Sequence, residues 1–277
     1  MVLDRRSVMV MCASMGTLFL PASVNSTTEL PGGTLRTFMR MRGMDKRAIA
    51  IGCLTGIYSG IVDGAVTPMF GVVSATFASY REVQAGFEIR SAEIAYFTDV
   101  ETDRVLEEWT NPYTNEVLPV PISTLPATSA RIGADLRIES LAPEIAGVQF
   151  SQSVSQPRVT SGEVWFTESI VALKAASPTE PAFHYNDSTV LRARITDLDK
   201  HSALAVRSNT SYQSVVSWRT WLKMGSHPGC MVGFGNGLYG VSIDELPPPW
   251  IRATEKRRPE ILTDPARILE SHSQQSG

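Results

Sequence analysis

Short runs of alternating apolar and polar residues dominate the chain from residue 48 to residue 217. The run AIAIGCLTGI at 48–57 is β-like and stops at Tyr58-Ser59-Gly60. Residues 66–79 (VTPMFGVVSATFAS) and 86–98 (GFEIRSAEIAYFT) predict two further strands. A polar turn at 99–104 leads to a return from Val105 to Trp109, so 86–98 and 105–109 read as a hairpin. Asn111-Pro112-Tyr113 and Pro119-Val120-Pro121 mark a turn and an edge, because proline lacks the donor that a central strand needs. Residues 130–140, 145–150 and 157–174 are three more strand candidates. The Pro/Ser/Asn-rich stretch at 175–190 reads as a loop, and 191–217 mixes β-like and polar segments with a short helix near 196–201.

The two ends carry a different pattern. Residues 34–43 (TLRTFMRMRG) fit either a short helix or a strand. Trp218 to Met224 suits a short helix that stops at Gly225, and 230–241 is Gly-rich. Pro247-Pro248-Pro249 opens a helix from about Trp250 to Arg258, since proline suits a helix start. A second helix is expected from Asp264 to His272. Frequent turn signals without regular strand–helix alternation predict a mainly β fold. The expected architecture is an antiparallel barrel or strongly curved sandwich, with short helices near the C-terminus.

Composition agrees with a packed core. Of 277 residues 43% are hydrophobic and 19% charged, which argues against disorder, and a net charge of −3 argues against nucleic acid as a partner. Residues 1–26 are expected to be an address. Arg5-Arg6-Ser7, an apolar run from Val8 to Leu20 and Pro21-Ala22-Ser23 match a bacterial signal peptide, and the paired arginines suggest the twin-arginine route. The run is too short to span a membrane. The expectation is a periplasmic or secreted protein with one β-rich domain at 27–272, a disordered tail at 273–277 and no membrane span after signal removal. Cys12 would leave with the signal, and Cys53 and Cys230 are either one disulfide or two free thiols.

Strand parity supplies the candidate chemistry. In 86–98 the face Phe87, Ile89, Ser91, Glu93, Ala95, Phe97 is apolar except at Ser91 and Glu93. In 163–171 the face Val164, Phe166, Glu168, Ile170 is apolar except at Glu168. A carboxylate on a buried face must be paired or protonated. Glu93 and Glu168 are therefore expected to share one interior site with Arg40 or Arg42, either as a structural ion pair or as acid–base groups with an arginine holding charge. Tyr96, Trp109, Trp165, Trp218, Trp221 and His184 are candidate ligand-binding residues, against the plainer alternatives of core packing for the tryptophans and surface exposure for His184. His184, His201, His227 and His272 share no metal-ligand spacing, and the cysteines are too few for a Cys₄ or Cys₂His₂ zinc site, which leaves open only a site of His and carboxylates scattered through the chain; the expectation is no metal and no cofactor. Gly235-Asn-Gly237-Leu-Tyr-Gly240 matches GxGxxG but precedes Val-Ser-Ile-Asp and three prolines rather than a helix. It reads as a tight turn or sheet crossing, not a dinucleotide site.

Arg90 to Asp99, Glu101-Thr102, Val105-Leu106, Trp109, Asn111-Pro-Tyr-Thr114 and Glu116 together resemble the domain-of-unknown-function 1838 family. Arg40 to Gly43, Gly162 to Glu168, Ser217-Trp218, Trp221, Met224-Gly225 and Pro228-Gly229 extend the resemblance. It implies no established activity. Members carry a polar His/Asn-containing segment after the Asn-Pro-Tyr-Thr stretch. Here that place reads VPISTLPAT at 120–128, which puts chemistry relying on that segment in doubt for this chain. The function expected from the residues is an exported protein that binds a small, largely apolar molecule in a barrel or cleft. The alternatives are a cofactor-independent lyase, isomerase or hydrolase built on the buried Glu/Arg site, or a structural partner protein without a pocket.

Overall fold

The structure, a computed structural model, describes residues 30–45, 49–142, 147–177, 182–198 and 205–270. The expected signal segment with Arg5, Arg6 and Cys12, the tail, His201 and His272 lie outside the described residues. Helix α1 (Thr34–Met41) leads into strands β1 (Ala50–Val62), β2 (Ala65–Val83) and β3 (Gly86–Thr98). A small hairpin of β4 (Glu108–Thr110) and β5 (Val117–Pro119) follows. Then come β6 (Ser123–Gly133), β7 (Arg137–Ser140), β8 (Val148–Val154), β9 (Arg158–Thr160), β10 (Glu163–Lys174) and β11 (Phe183–Arg194). After α2 (Ile195–Leu198) run β12 (Ser208–Val216) and β13 (Cys230–Tyr239). Helices α3 (Pro248–Arg257), α4 (Glu260–Thr263) and α5 (Arg267–Glu270) end the described chain.

Ten antiparallel strands form a closed barrel in the order β11-β12-β13-β1-β2-β3-β6-β7-β8-β10, and the β10–β11 pairing closes it. The expected β class and C-terminal helices are present. Asp63 and Gly64 both take positive φ (50° and 81°) in the two-residue β1–β2 turn, the geometry that suits an Asp-Gly hairpin. Pro68 and Pro126 sit at register shifts in β2 and β6, where a missing donor costs little.

Three local expectations are corrected. Residues 105–109 do not pair along 86–98 beyond the single Thr98–Val105 bridge, and the long partner of β3 is β6. Most of the supposed loop at 175–190 belongs to β11, which pairs with both β10 and β12. The Gly-rich segment is neither a turn nor a crossing but the central strand β13, between β12 and β1. Its glycines admit rings. A Cβ on Gly233 would lie 2.6 Å from the Tyr58 ring, and one on the facing-strand Gly52 would lie 2.4 Å from Tyr239.

The interior has three layers. At one end α1 acts as a plug. Phe38, Met39 and Met41 are fully buried among Phe87, Ile132, Val164, Phe166 and Leu191, which explains why its alternation fitted no single exposed face. At the other end Phe70, Phe97, Val216 and Met231 pack under a cap made by β4–β5 and the 217–224 segment. Polar side chains fill the middle. On the outside, α3 to α5 cover the β1–β3 face formed by Ile51, Val73, Phe77 and Ile94. No helix among the described residues is long and apolar enough to cross a membrane.

The wall is incomplete at one place. Strand β7 is four residues long and joins β6 only at Ala130–Ile132 and β8 only at Gln152–Ser153. Beyond it, β6 residues 123–125 and Thr128, and β8 residues 148–151, have a ladder partner on one side only. Leu125, Thr128 and Phe150 occupy inward registers there and are nevertheless exposed, Leu125 at 56% and Phe150 at 52%. The ladder between β6 and β8 thus has a gap at the registers of Leu125, Thr128 and Phe150.

Candidate functional site

Glu93 on β3 and Glu168 on β10 both face the interior. Glu93 shares its face with Phe87, Ile89 and Phe97 through pairing with Thr76 and Leu125. Glu168 shares its face with Val164 and Phe166 through pairing with Val154 and Thr189. Arg42 follows α1 at the plug end and forms a buried ion pair with Glu168, whose other oxygen accepts a 2.7 Å bond from Gln152 Nε2. The guanidinium carbon lies 5.1 Å from the centre of the Tyr239 ring, and the Tyr80 hydroxyl donates to the Arg42 carbonyl at 2.9 Å. Burial opposes the Arg42 charge, but Glu168, Tyr239 and Tyr80 outweigh it and hold the guanidinium well above its ordinary value. Arg40 is buried too, and its NH1 donates to the Leu198 carbonyl at 2.7 Å.

Glu93 belongs to a second group, one layer nearer the cap. Burial is the main cause that pushes its carboxyl above the ordinary value of 4.5. A Ser74 hydrogen bond opposes the rise, Asp187 adds to it, and Arg219 pulls weakly the other way. Asp187 on β11 is 7% exposed, and burial raises it against hydrogen bonds from Ser214, Tyr185 and Tyr212. The hydroxyls of Tyr185 and Tyr212 both donate to Asp187 Oδ2, the latter at 3.0 Å. Since Tyr212 spends its proton there, Tyr58 donates to Tyr212 across 3.0 Å. Arg219 stacks over Tyr58, 5.9 Å from the ring centre. Burial pushes Tyr185 and Tyr212 far above the usual phenol range and Tyr239 up to about 12, so all three stay protonated donors.

The other expected residues divide in two. Trp109, Trp218 and Trp221 build the cap. Trp109 Nε1 donates to the Met69 carbonyl at 3.0 Å, and its ring meets Phe70 and Trp221 at 5.3 and 6.0 Å. Trp218 packs on Tyr113 at 5.5 Å. Tyr96, Trp165 and His184 lie outside the barrel. Tyr96 faces α3 and bonds Thr254 at 3.0 Å. Trp165 alternates with inward Val164 and Phe166, and it lies under the Arg192 guanidinium on the outer face. His184 is exposed on the outer face of β11.

Asp187, Tyr58, Tyr185, Tyr212, Ser214 and Arg219 were not singled out from the sequence. The alternation Tyr185, Asp187, Thr189, Leu191 was available, but the Pro/Ser/Asn composition around it hid a strand. Within the middle layer Arg219 Nε is buried without a hydrogen-bond partner, while the Ser214 hydroxyl stands opposite Asp187 and bonds to its carboxyl. Among the described residues no three His, Cys, Asp or Glu side chains come together to hold a metal ion. Cys53 and Cys230 are both free thiols. Cys230 sits opposite Ile61, eight positions along β1 from Cys53, roughly 26 Å at strand rise, too far for a disulfide.

The family described as "Protein of unknown function (DUF1838)" has a model that matches residues 52–130. This stretch runs from β1 into β6 and holds Glu93 and Trp109, which supports the resemblance there. The similarities at Arg40–Gly43, Gly162–Glu168 and Ser217–Gly229 fall outside the match. No curated protein matches the chain.

Proposed function

We propose that this protein is a ligand-binding barrel that admits a small molecule through the β6–β8 gap into its middle layer. The observation that carries the proposal is the polar middle layer of Glu93, Asp187, Ser214 and Arg219, in which buried polar atoms such as Arg219 Nε have no hydrogen-bond partner. Such atoms cost stability unless something hydrogen-bonds to them. Exposed Leu125 and Phe150 at the rim, with half-buried Ile170 and Ala172 behind them, suit an apolar body. The ligand is thus amphipathic, with its polar end inward, rather than apolar throughout.

The test uses N-phenyl-1-naphthylamine, a neutral apolar fluorophore, with the full chain. Saturable binding that weakens about tenfold or more in Thr128→Trp, which fills the gap, is expected. Equal binding by both proteins sinks the proposed site. Mass spectrometry of solvent extracts of the purified protein would then identify a natural ligand.

A second function, acid–base catalysis, is favoured by the raised Glu93 carboxyl in the same layer. Here Glu93 rather than Glu168 is the reactive group, because both oxygens of Glu168 already accept bonds, from Arg42 and Gln152. Turnover of an extracted ligand, abolished in Glu93→Gln with the fold intact, distinguishes catalysis from binding. Export through Arg5-Arg6 is proposed alongside. Arg5→Lys with Arg6→Lys should retain the chain in the cytoplasm, and unchanged export would remove the twin-arginine route.

A further inference from the structure

We propose a second binding site, on the outside of the barrel, for a small phosphate monoester; it does not depend on the interior site. The site is a cleft of about 280 Å³ between the 102–107 segment and one face of α3. That face repeats at helical spacing, through Pro249, Arg252, Ala253, Lys256 and Arg257. Both walls are anchored. Trp250 is fully buried and ties α3 to β3 through the Ile94 carbonyl. Across the cleft, Asp99 Oδ1 accepts from the Thr102 amide at 2.9 Å and from the Thr102 hydroxyl at 2.7 Å, and Val105 bridges to Thr98. The concavity therefore does not wait for a ligand to form it.

Charge selects the ligand. Arg104, Arg252, Lys256 and Arg257 line the cleft against two carboxylates, Asp103 and Glu107, in a chain whose net charge is −3. Lys256 and Arg257 already have work. They lie in the last turn of α3, where the helix dipole favours cations, and they share Glu107 at 3.4 and 3.5 Å. Arg104 and Arg252 form no side-chain hydrogen bond or ion pair among the described residues. The cleft thus holds two positive charges beyond its carboxylates, and a dianion balances them. A phosphate monoester carries close to two negative charges, and its oxygens match the fork of a guanidinium. A carboxylate would leave one charge unmatched, and a cation would meet four like charges. Half-buried Val105 and buried Ala253 line the same cleft and suit the carbon part of the ester.

Calorimetric titration of the full chain tests this with phenyl phosphate, a dianion at about pH 8, and benzenesulfonate, a monoanion of similar shape. Phenyl phosphate should bind saturably, about tenfold or more tighter than benzenesulfonate. Arg104→Gln with Arg252→Gln should weaken its binding about tenfold or more and leave Tm unchanged, since both side chains are exposed. No saturable heat with phenyl phosphate, equal binding of the two anions, or equal binding by the double variant overturns the site. The same phosphate chemistry reaches the cleft either free or as a lipid headgroup. Flotation with phosphatidylcholine vesicles, with and without phosphatidic acid, separates these sources. Capture that needs phosphatidic acid and is lost in the double variant supports the site with a lipid as its ligand. No capture, while phenyl phosphate binds, supports it with a soluble ester.

Discussion

Arg42 and Glu168 have 10% and 6% of their side chains exposed, so each would be stranded without the other. Desolvation makes such a pair a weak source of net stability, yet losing one partner typically costs ~3–5 kcal/mol. Arg42→Met should therefore lower unfolding free energy by about that much. Arg42→Met with Glu168→Leu should recover most of the loss, as denaturant melts would show. Equal losses in the single and double variants would mean that the arginine matters for packing α1 rather than for charge. Glu93 behaves in the opposite sense with pH. Its carboxyl is raised on folding, so the stability linked to it is complete below the ordinary 4.5 and is lost as pH climbs through the raised value. Around it stand Asp187, itself raised, with Ser74, Arg219, Tyr185 and Tyr239. Relative to Glu93→Gln, the unaltered protein should lose stability as pH rises from 4.5 towards neutrality. Parallel pH–stability curves would show that Glu93 is not desolvated in the folded state.

At the scale of elements, β1 and β13 show how a weak local pattern becomes a specific one. Glycine normally weakens a strand, but Gly52 and Gly233 face Tyr239 and Tyr58 across the β1–β13 ladder. Gly52→Ala would set a methyl 2.4 Å from the Tyr239 ring, next to the Arg42 site, and should cost about 1–3 kcal/mol by overpacking, measurable as a lowered Tm. An unchanged Tm would show that the ring moves freely. Composition alone marked 230–241 as a turn, because the tyrosine rings that occupy the missing side-chain volume come from other registers or strands. For the same kind of reason 175–190 read as a loop, although its polar residues point either outward, as His184 does, or into a polar interior, as Asp187 does. Where an inward face was apolar around one exception, as in β3 and β10, parity alone placed Glu93 and Glu168 inside. Trp109, Trp218 and Trp221 carried no such parity signal, since they lie in the cap outside the long strands, whereas the alternation with Val164 and Phe166 already set Trp165 on the outer wall. The Asn111-Pro-Tyr-Thr motif is an anchor for that cap. Asn111 is fully buried and gives Nδ2 to the Leu222 carbonyl at 2.9 Å, while its oxygen accepts the Tyr113 amide at 2.9 Å.

For the whole molecule, the sheet β1–β3 has two buried faces with different work. Its inner face carries Ser74 and Glu93 into the middle layer. Its outer face carries Ile51, Val73, Phe77, Ile94 and Tyr96 under helices α3 to α5. Trp250 is the centre of that cover. It is fully buried, donates Nε1 to the Ile94 carbonyl at 2.9 Å, and packs on Phe77 and Tyr96 at 5.9 and 6.2 Å. Trp250→Ala should cost ~3–5 kcal/mol, because a large buried ring leaves both lost contacts and a cavity. It removes nothing from the interior, so affinity for the naphthylamine probe should change less than twofold at temperatures where the fold persists. Thr128→Trp should show the reverse, with small loss of stability because Thr128 is exposed, and weakened binding because it stands in the gap. Substitutions more than ~7–10 Å apart with no shared partners act additively. The double variant should then combine one loss of stability with one loss of binding. If Trp250→Ala weakens binding as much as Thr128→Trp does, the sheet transmits strain between its faces, and the outer helices belong to the site.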